Sequence, residues 1–286
     1  MPIRRSLGAL LLAIAALPAY AQRDPLSGAP LPPAKRPTPS PITDHLYVSV
    51  AFFDPHLDTF LRIDPTPATN PPTTGTPLSG ERNLGFPATL QQAKVEAMLR
   101  LRERFRIRVG YFEADRSGSV VLPNAIVFGN QTFAAGDQLN SSLDWRMFTI
   151  SFLYSFYRSD HLEIATGINA YSVQLQTQAL APVLFQQQTT TASGAVPALP
   201  LDVTWRFSRK FSFTARGAYF KAAHNDFSGS ITDIYGDLQY RILPNLTSGV
   251  SYSSTKIDLT RTSMSSSPGI ANLSIKGPQL FLRFSF

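Results

Sequence analysis

Eight basic and four acidic side chains in this chain sit where apolar residues alternate with polar ones. Lys94, Arg100, Arg106, Arg108, Arg206, Arg216, Arg241 and Arg283 are the bases, and Glu96, Glu163, Asp202 and Asp237 the acids. Charges spaced by twos within apolar stretches belong to one face of a strand. Such a set can pair internally or impose a field on a solute, and neither is catalysis. Catalytic and metal-binding signals are weak elsewhere. The histidines are His45, His56, His161 and His224, and no two share a metal-ligand spacing. His224 with Asp226 or Asp233 is the formal candidate for a rim hydrolase or acyltransferase, because a base beside an acid could activate a nucleophile. The chain has no cysteine, so thiolate nucleophiles, thiolate metal sites and disulfides are excluded. G-x-S-x-G, P-loop and G-x-G-x-x-G motifs are missing. The expectation is a non-enzymatic protein with no catalytic residue, no metal and no cofactor.

The elements that position those charges are strands. Apolar residues recur at every second position over 46–52, 93–101, 105–111, 148–156, 162–168, 199–207, 211–219, 234–242, 246–252 and 278–286, which makes ten segments. Helix propensity over 94–102 yields to its strict alternation. Tight turns at Glu103-Arg104, Ser159-Asp160, Ser208-Arg209 and Pro244-Asn245 take turns with longer connections at 54–88, 115–142, 178–197, 223–229 and 261–272. Short turns at one end and long loops at the other are the build of an up-and-down transmembrane β-barrel. With both termini on one side the strand number is even. Ten satisfies this, with 12 or 8 as alternatives. Extra hairpins pairing 57–64 with 78–84, or 120–128 with 131–135, would give 12. The polar tract 186–191 reads as disordered loop.

The lipid-facing side follows from three features. Phe105, Phe156, Phe207, Phe211, Tyr240 and Phe284 lie beside the short turns, as an aromatic girdle would. The chain ends on Leu282, Phe284 and Phe286 at alternate positions, which looks like the signal read by barrel-assembly machinery. The other face holds the charges. An Arg or Lys in the hydrocarbon midplane costs about 2–4 kcal/mol, so these twelve residues are expected to line the lumen. There they either pair and fill it or give it a positive field that favours anions.

Arg4 and Arg5, the apolar stretch 7–17 and Ala19-Tyr20-Ala21 form a signal peptide over 1–21. Removing its two arginines lowers the net charge from +7 to +5. Residues 22–43 contain seven prolines between Pro25 and Pro41 and read as an extended periplasmic linker. Residues 44–286 are left for the barrel. The basic balance faces a lumen in this reading, so nucleic acid is rejected as a partner.

One region has a recognisable texture. It runs through Asp58-Thr59-Phe60-Leu61-Arg62-Ile63-Asp64, Arg82-Asn83-Leu84-Gly85, Arg106-Ile107-Arg108-Val109-Gly110-Tyr111-Phe112, Asp115-Arg116-Ser117-Gly118, Ile126-Val127-Phe128-Gly129 and Tyr154-Ser155-Phe156-Tyr157-Arg158. It resembles a largely uncharacterised group of small proteobacterial outer-membrane β-barrel proteins. Members usually carry acidic residues before the Leu-Gly step, where this chain has Arg82-Asn83. The resemblance implies a barrel and supplies no catalytic residues. The expected role is a narrow porin-like channel for small, anionic solutes in a Gram-negative outer membrane. The alternatives are a non-conducting structural or adhesion barrel, and then the rim hydrolase. Expected partners are outer-membrane lipid, the assembly machinery and the solute.

Overall fold

The structure is a computed structural model and describes residues 40–66, 74–181, 186–224, 226–262 and 268–286. The signal peptide, nearly all of the Pro-rich linker and Asn225 lie outside these residues. So do the side chains of Ala181, of 186–194, of His224 and of Phe227.

In chain order the elements are β1 (Leu46–Phe53), β2 (His56–Ile63), β3 (Leu78–Ser79), α1 (Gly80–Asn83), β4 (Gln92–Arg100), β5 (Phe105–Val121), β6 (Ile126–Phe128), β7 (Gln131–Phe133), β8 (Gln138–Arg158), β9 (Leu162–Ala181), β10 (Gln186–Arg206), β11 (Phe211–His224), β12 (Phe227–Leu243), β13 (Leu246–Arg261) and β14 (Gly269–Ser285). The wall runs β1-β4-β5-β8-β9-β10-β11-β12-β13-β14, and β14 pairs back with β1. All the pairings are antiparallel, so the fold is a closed ten-stranded barrel. At the seam Val50 lies opposite Leu282 and Val48 opposite Phe284. Leu46 and Phe286 exchange both backbone hydrogen bonds, at 3.1 and 2.8 Å.

The strand β8 explains the architecture. Its outward residues from the turn end are Phe156, Tyr154, Phe152, Ile150 and Phe148, then Arg146, Asp144, Ser142 and Asn140. Its inward residues change the opposite way. Ser155, Leu153, Ser151 and Thr149 give way to Met147, Trp145, Leu143, Ser141 and Leu139. Strand β14 makes the same exchange, with Leu280, Leu282, Phe284 and Phe286 outside below and Asn272, Ser274 and Lys276 outside above. The barrel thus has two storeys. The lower is apolar outside and polar inside, as lipid demands. The upper is polar outside with an apolar core, as water demands.

Several expectations are corrected here. Much of 178–197 and 223–229 is strand, as is 269–272: β9 continues to Ala181 and β10 starts at Gln186, so the polar tract 186–191 is paired backbone. Alternation of lipid-facing residues stops at the membrane edge, while the backbone ladder does not. Hairpin 126–133 forms but stays out of the wall. β2 prolongs β1 past Pro55 along the same partner, β14, so it adds no wall strand, and its pairing with β3 spans two residues.

β2 and the upper part of β5 are separated in the wall, and residues 78–90 fill the gap. Arg116 of β5 ion-pairs Glu81 of α1 at 2.7 Å and also donates to the Thr59 hydroxyl of β2. Glu81 in turn accepts from the Thr59 backbone N–H at 3.1 Å. Gly85 has φ +72°, and a Cβ on Gly118 would stand 2.4 Å from the Leu84 carbonyl. The close contact therefore needs glycine at both positions.

Candidate functional site in the barrel lumen

The lower lumen is built in layers from the turn end. Residues 40–45 fold into the mouth as a turn, with the Thr43 and Asp44 N–H groups donating to the Ser40 carbonyl at 3.0 Å. Ile42 is 1% exposed. The expected linker–barrel boundary falls inside this turn. Arg241 donates to the Asp44 carboxylate at 2.6 Å, as does the Ser285 hydroxyl at 2.8 Å. Arg100 donates to the Asp44 carbonyl and Arg158 to that of Ile42.

Above the mouth, Glu163 accepts two hydrogen bonds from Arg100, at 2.8 and 3.0 Å, and one from Ser155. Arg106 joins it at 3.4 Å. Across the lumen Arg283 donates to Gln239 at 2.8 Å and stands 3.9 Å from Asp237. The next layer holds two braces. Arg108 of β5 meets Asp202 of β10 at 2.5 Å. Arg216 of β11 grips Glu96 of β4 through both terminal nitrogens, at 2.7 and 3.1 Å. Such bidentate pairs are the strong kind.

Ten of the twelve charged residues read from the sequence are thus brought into ion pairs. Lys94 and Arg206 are half-buried and have no ion pair among the described residues. Lys94 lies over the Phe53 ring at 6.0 Å, and Arg206 lies beside Ser40 and Pro41. Of the arginines nearest the short turns, Arg100 and Arg106 share Glu163. Asp202 serves Arg108 one level higher, and Asp44 and Asp237 serve Arg241 and Arg283. Sequence reading missed Asp44 because it precedes the first alternating segment. Asp233, the formal partner read for His224, instead accepts from Tyr171 at 3.0 Å and from Thr255 at 2.6 Å inside the barrel.

A polar cavity of about 60 Å³ remains at mid-height, lined by Lys94, Arg108, Asp202, Arg216 and Asp233 among others. That is room for about four waters. Two buried atoms at its wall, Asn169 Oδ1 and Ser151 Oγ, have no partner among the described residues. Above it the apolar core begins. Phe112 packs edge-on to Trp145 and to Phe53, at 6.1 and 5.7 Å. Leu84, Phe86, Ile126, Phe128 and Phe133 fill the space from the loops. Hairpin β6–β7 is tied down by Thr76 N–H to Val127 O at 2.8 Å and Gly129 N–H to Ile63 O at 3.0 Å.

His45, His56 and His161 are exposed, and the His224 side chain lies outside the described residues. Among the described residues no group of three acidic or histidine side chains is placed to hold a metal. Phe286, Phe284 and Leu282 are exposed on the outer face at the seam.

No protein-family model and no curated sequence matches the chain. Solved structures do. The outer-membrane protease OmpT from Escherichia coli aligns with TM-score 0.55 at 11% identity, over 84% of this chain and 96% of that one. The Ralstonia pickettii toluene transporter TbuX aligns with TM-score 0.36 at 9% identity, over 85% and 90%. The Yersinia pestis attachment invasion locus protein Ail, solved with a heparin analogue, aligns with TM-score 0.34 at 8% identity, over 83% and 99%. The likeness to the protease is one of fold. With its closed ten-stranded wall, apolar outer band and girdle at the short turns, the protein is a β-barrel of the Gram-negative outer membrane.

Proposed function

We propose that this is a non-conducting barrel that presents a rigid interaction platform at the cell surface. The observation that carries this reading is the filling of the lumen in two different ways. Below, charges pair across it. Above, an apolar core of Phe112, Trp145, Leu84 and Phe128 occupies it. A solute would have to break buried ion pairs and then cross a hydrophobic layer. In barrels of this class short turns face the periplasm and long loops the outside, so the upper storey stands outside the cell. The ten residues of β8 above Phe148 extend about 30 Å along the strand. Their outer face is polar, with Asn140, Ser142, Asp144 and Arg146 beside Gln174, Gln176 and Gln178 of β9.

The narrow channel for small anionic solutes is the second reading. It is favoured by the polar cavity beside Lys94, whose ammonium has no carboxylate partner among the described residues. Conductance of the purified protein in a planar bilayer separates the two. The platform reading expects no current steps above the protein-free membrane. Reproducible steps with an anion-selective reversal potential would establish the channel instead.

A further inference from the structure

The lower storey has a flaw in its outer face. Along β13 the outward residues are Leu246, Ser248, Val250 and Tyr252. Ser248 lies between Tyr240 of β12 and Leu282 of β14, its partners in the two registers. A small residue between two large ones leaves a furrow of about 690 Å³, with Ser248 and Gly249 at its floor. Phe211 and Tyr240, whose ring centroids are 4.9 Å apart, form one bank. Leu282 and Phe284 form the other. From Phe284 to Leu280 it follows the strand for about 13 Å, most of the depth of one leaflet's hydrocarbon.

The periplasmic end of this furrow is positively charged. Lys210 precedes Phe211. Its ammonium lies 5.7 Å from the centre of the Tyr240 ring and 3.4 Å from the Tyr240 hydroxyl. Arg209 beside it is exposed. The turns here, 208–210 and 244–245, contain these two bases and no acid. The nearby acids Asp44 and Asp237 are buried on the lumen side, where they face Arg241 and Arg283. An apolar trough ending in a cationic rim has the polarity of a lipid with an anionic head.

We propose that this face binds one anionic phospholipid of the periplasmic leaflet, with an acyl chain along Ser248 and the phosphate at Lys210 and Arg209. The furrow alone would hold a chain only by shape, because surrounding lipid is equally apolar. The two bases add the headgroup preference. The site does not depend on whether the lumen is closed.

Native mass spectrometry of the full-length protein, exchanged into detergent with phosphatidylglycerol or phosphatidylcholine, tests this. The wild type is expected to retain one phosphatidylglycerol and at least fivefold less phosphatidylcholine. Arg209→Glu with Lys210→Glu should abolish that preference. Ser248→Phe, which fills the furrow, should remove the adduct of either lipid, and Ser248→Leu serves the same purpose if the larger ring prevents heat-modifiable folding. Equal retention of both lipids by the wild type overturns the proposal. So does full retention in a folded Ser248 variant, or a dimer of the chain that excludes lipid from this face.

Discussion

The Asp44 carboxylate and the Arg241 guanidinium, 197 residues apart in the chain, meet at 2.6 Å inside the periplasmic mouth. The same carboxylate receives the Ser285 hydroxyl. One side chain thus connects the chain's entry into the barrel, the β12 wall and the closing strand. Breaking a buried pair by removing one member costs about 3–5 kcal/mol, because the other charge stays behind. Asp44→Ala is expected to lower the unfolding free energy of the heat-modifiable form by that amount, read as a lower urea midpoint at unchanged slope. A midpoint equal to wild type would show that the mouth is not held by this contact.

Arg116 depends on Glu81 in the same way at the opposite end. Glu81→Gln leaves Arg116, 4% exposed, with a neutral partner. The expected result is faster proteolytic cleavage within 64–91, at unchanged barrel stability, because only the gap filler is released. Cleavage at the wild-type rate would mean that packing of Leu84 and Phe86 alone holds this segment.

Asp115 lies opposite Asp144 in the β5–β8 register, above the lipid band. Partial burial first, and then the Asp144 and Glu113 carboxylates, push its pKa above the ordinary 3.8. A carboxyl raised in the folded state adds stability that is complete below its unfolded value and lost as pH rises through the folded one. Asp115→Asn should therefore raise the melting temperature at pH 7 and leave it unchanged at pH 3. The reverse pattern would mean that Asp115 is stabilised as an anion.

Cell-surface exposure of the upper storey is testable with an inserted epitope. Ser193 lies in β10 opposite Gln174, so an insertion there would break a ladder. Gly136, in a turn with φ +90° and open space around it, tolerates one better. Intact cells should bind antibody to a tag at Gly136. Binding only after permeabilisation would invert the topology.

Deleting Phe286 removes a lipid-facing ring and both backbone hydrogen bonds to Leu46. Unfolded protein should accumulate in the periplasm. Normal amounts of heat-modifiable barrel would show that the seam closes without it.

The lower storey was legible because lipid enforces alternation: ten segments, four tight turns and the inward charges all follow from period two. Partners were less legible. Arg216 and Glu96 are 120 residues apart, and their meeting depends on which strands face each other across the lumen. The upper storey escaped detection for a simpler reason. Residues such as Asn140, Asp144, Gln174 and Gln178 have loop-like composition, and the apolar residues between them were the signal that could have marked them as strand.

The polarity exchange on β8 also acts as a depth gauge. Phe148 and Arg146 are neighbours on the same outer face, one greasy and one charged. Sinking the barrel by one such step, about 7 Å along the strand, would carry Arg146 into hydrocarbon. Raising it by the same step would strip lipid from Phe148. Every strand that makes this exchange sets the same mark, so the molecule's height in the membrane is written into the wall itself and needs no anchor to hold it.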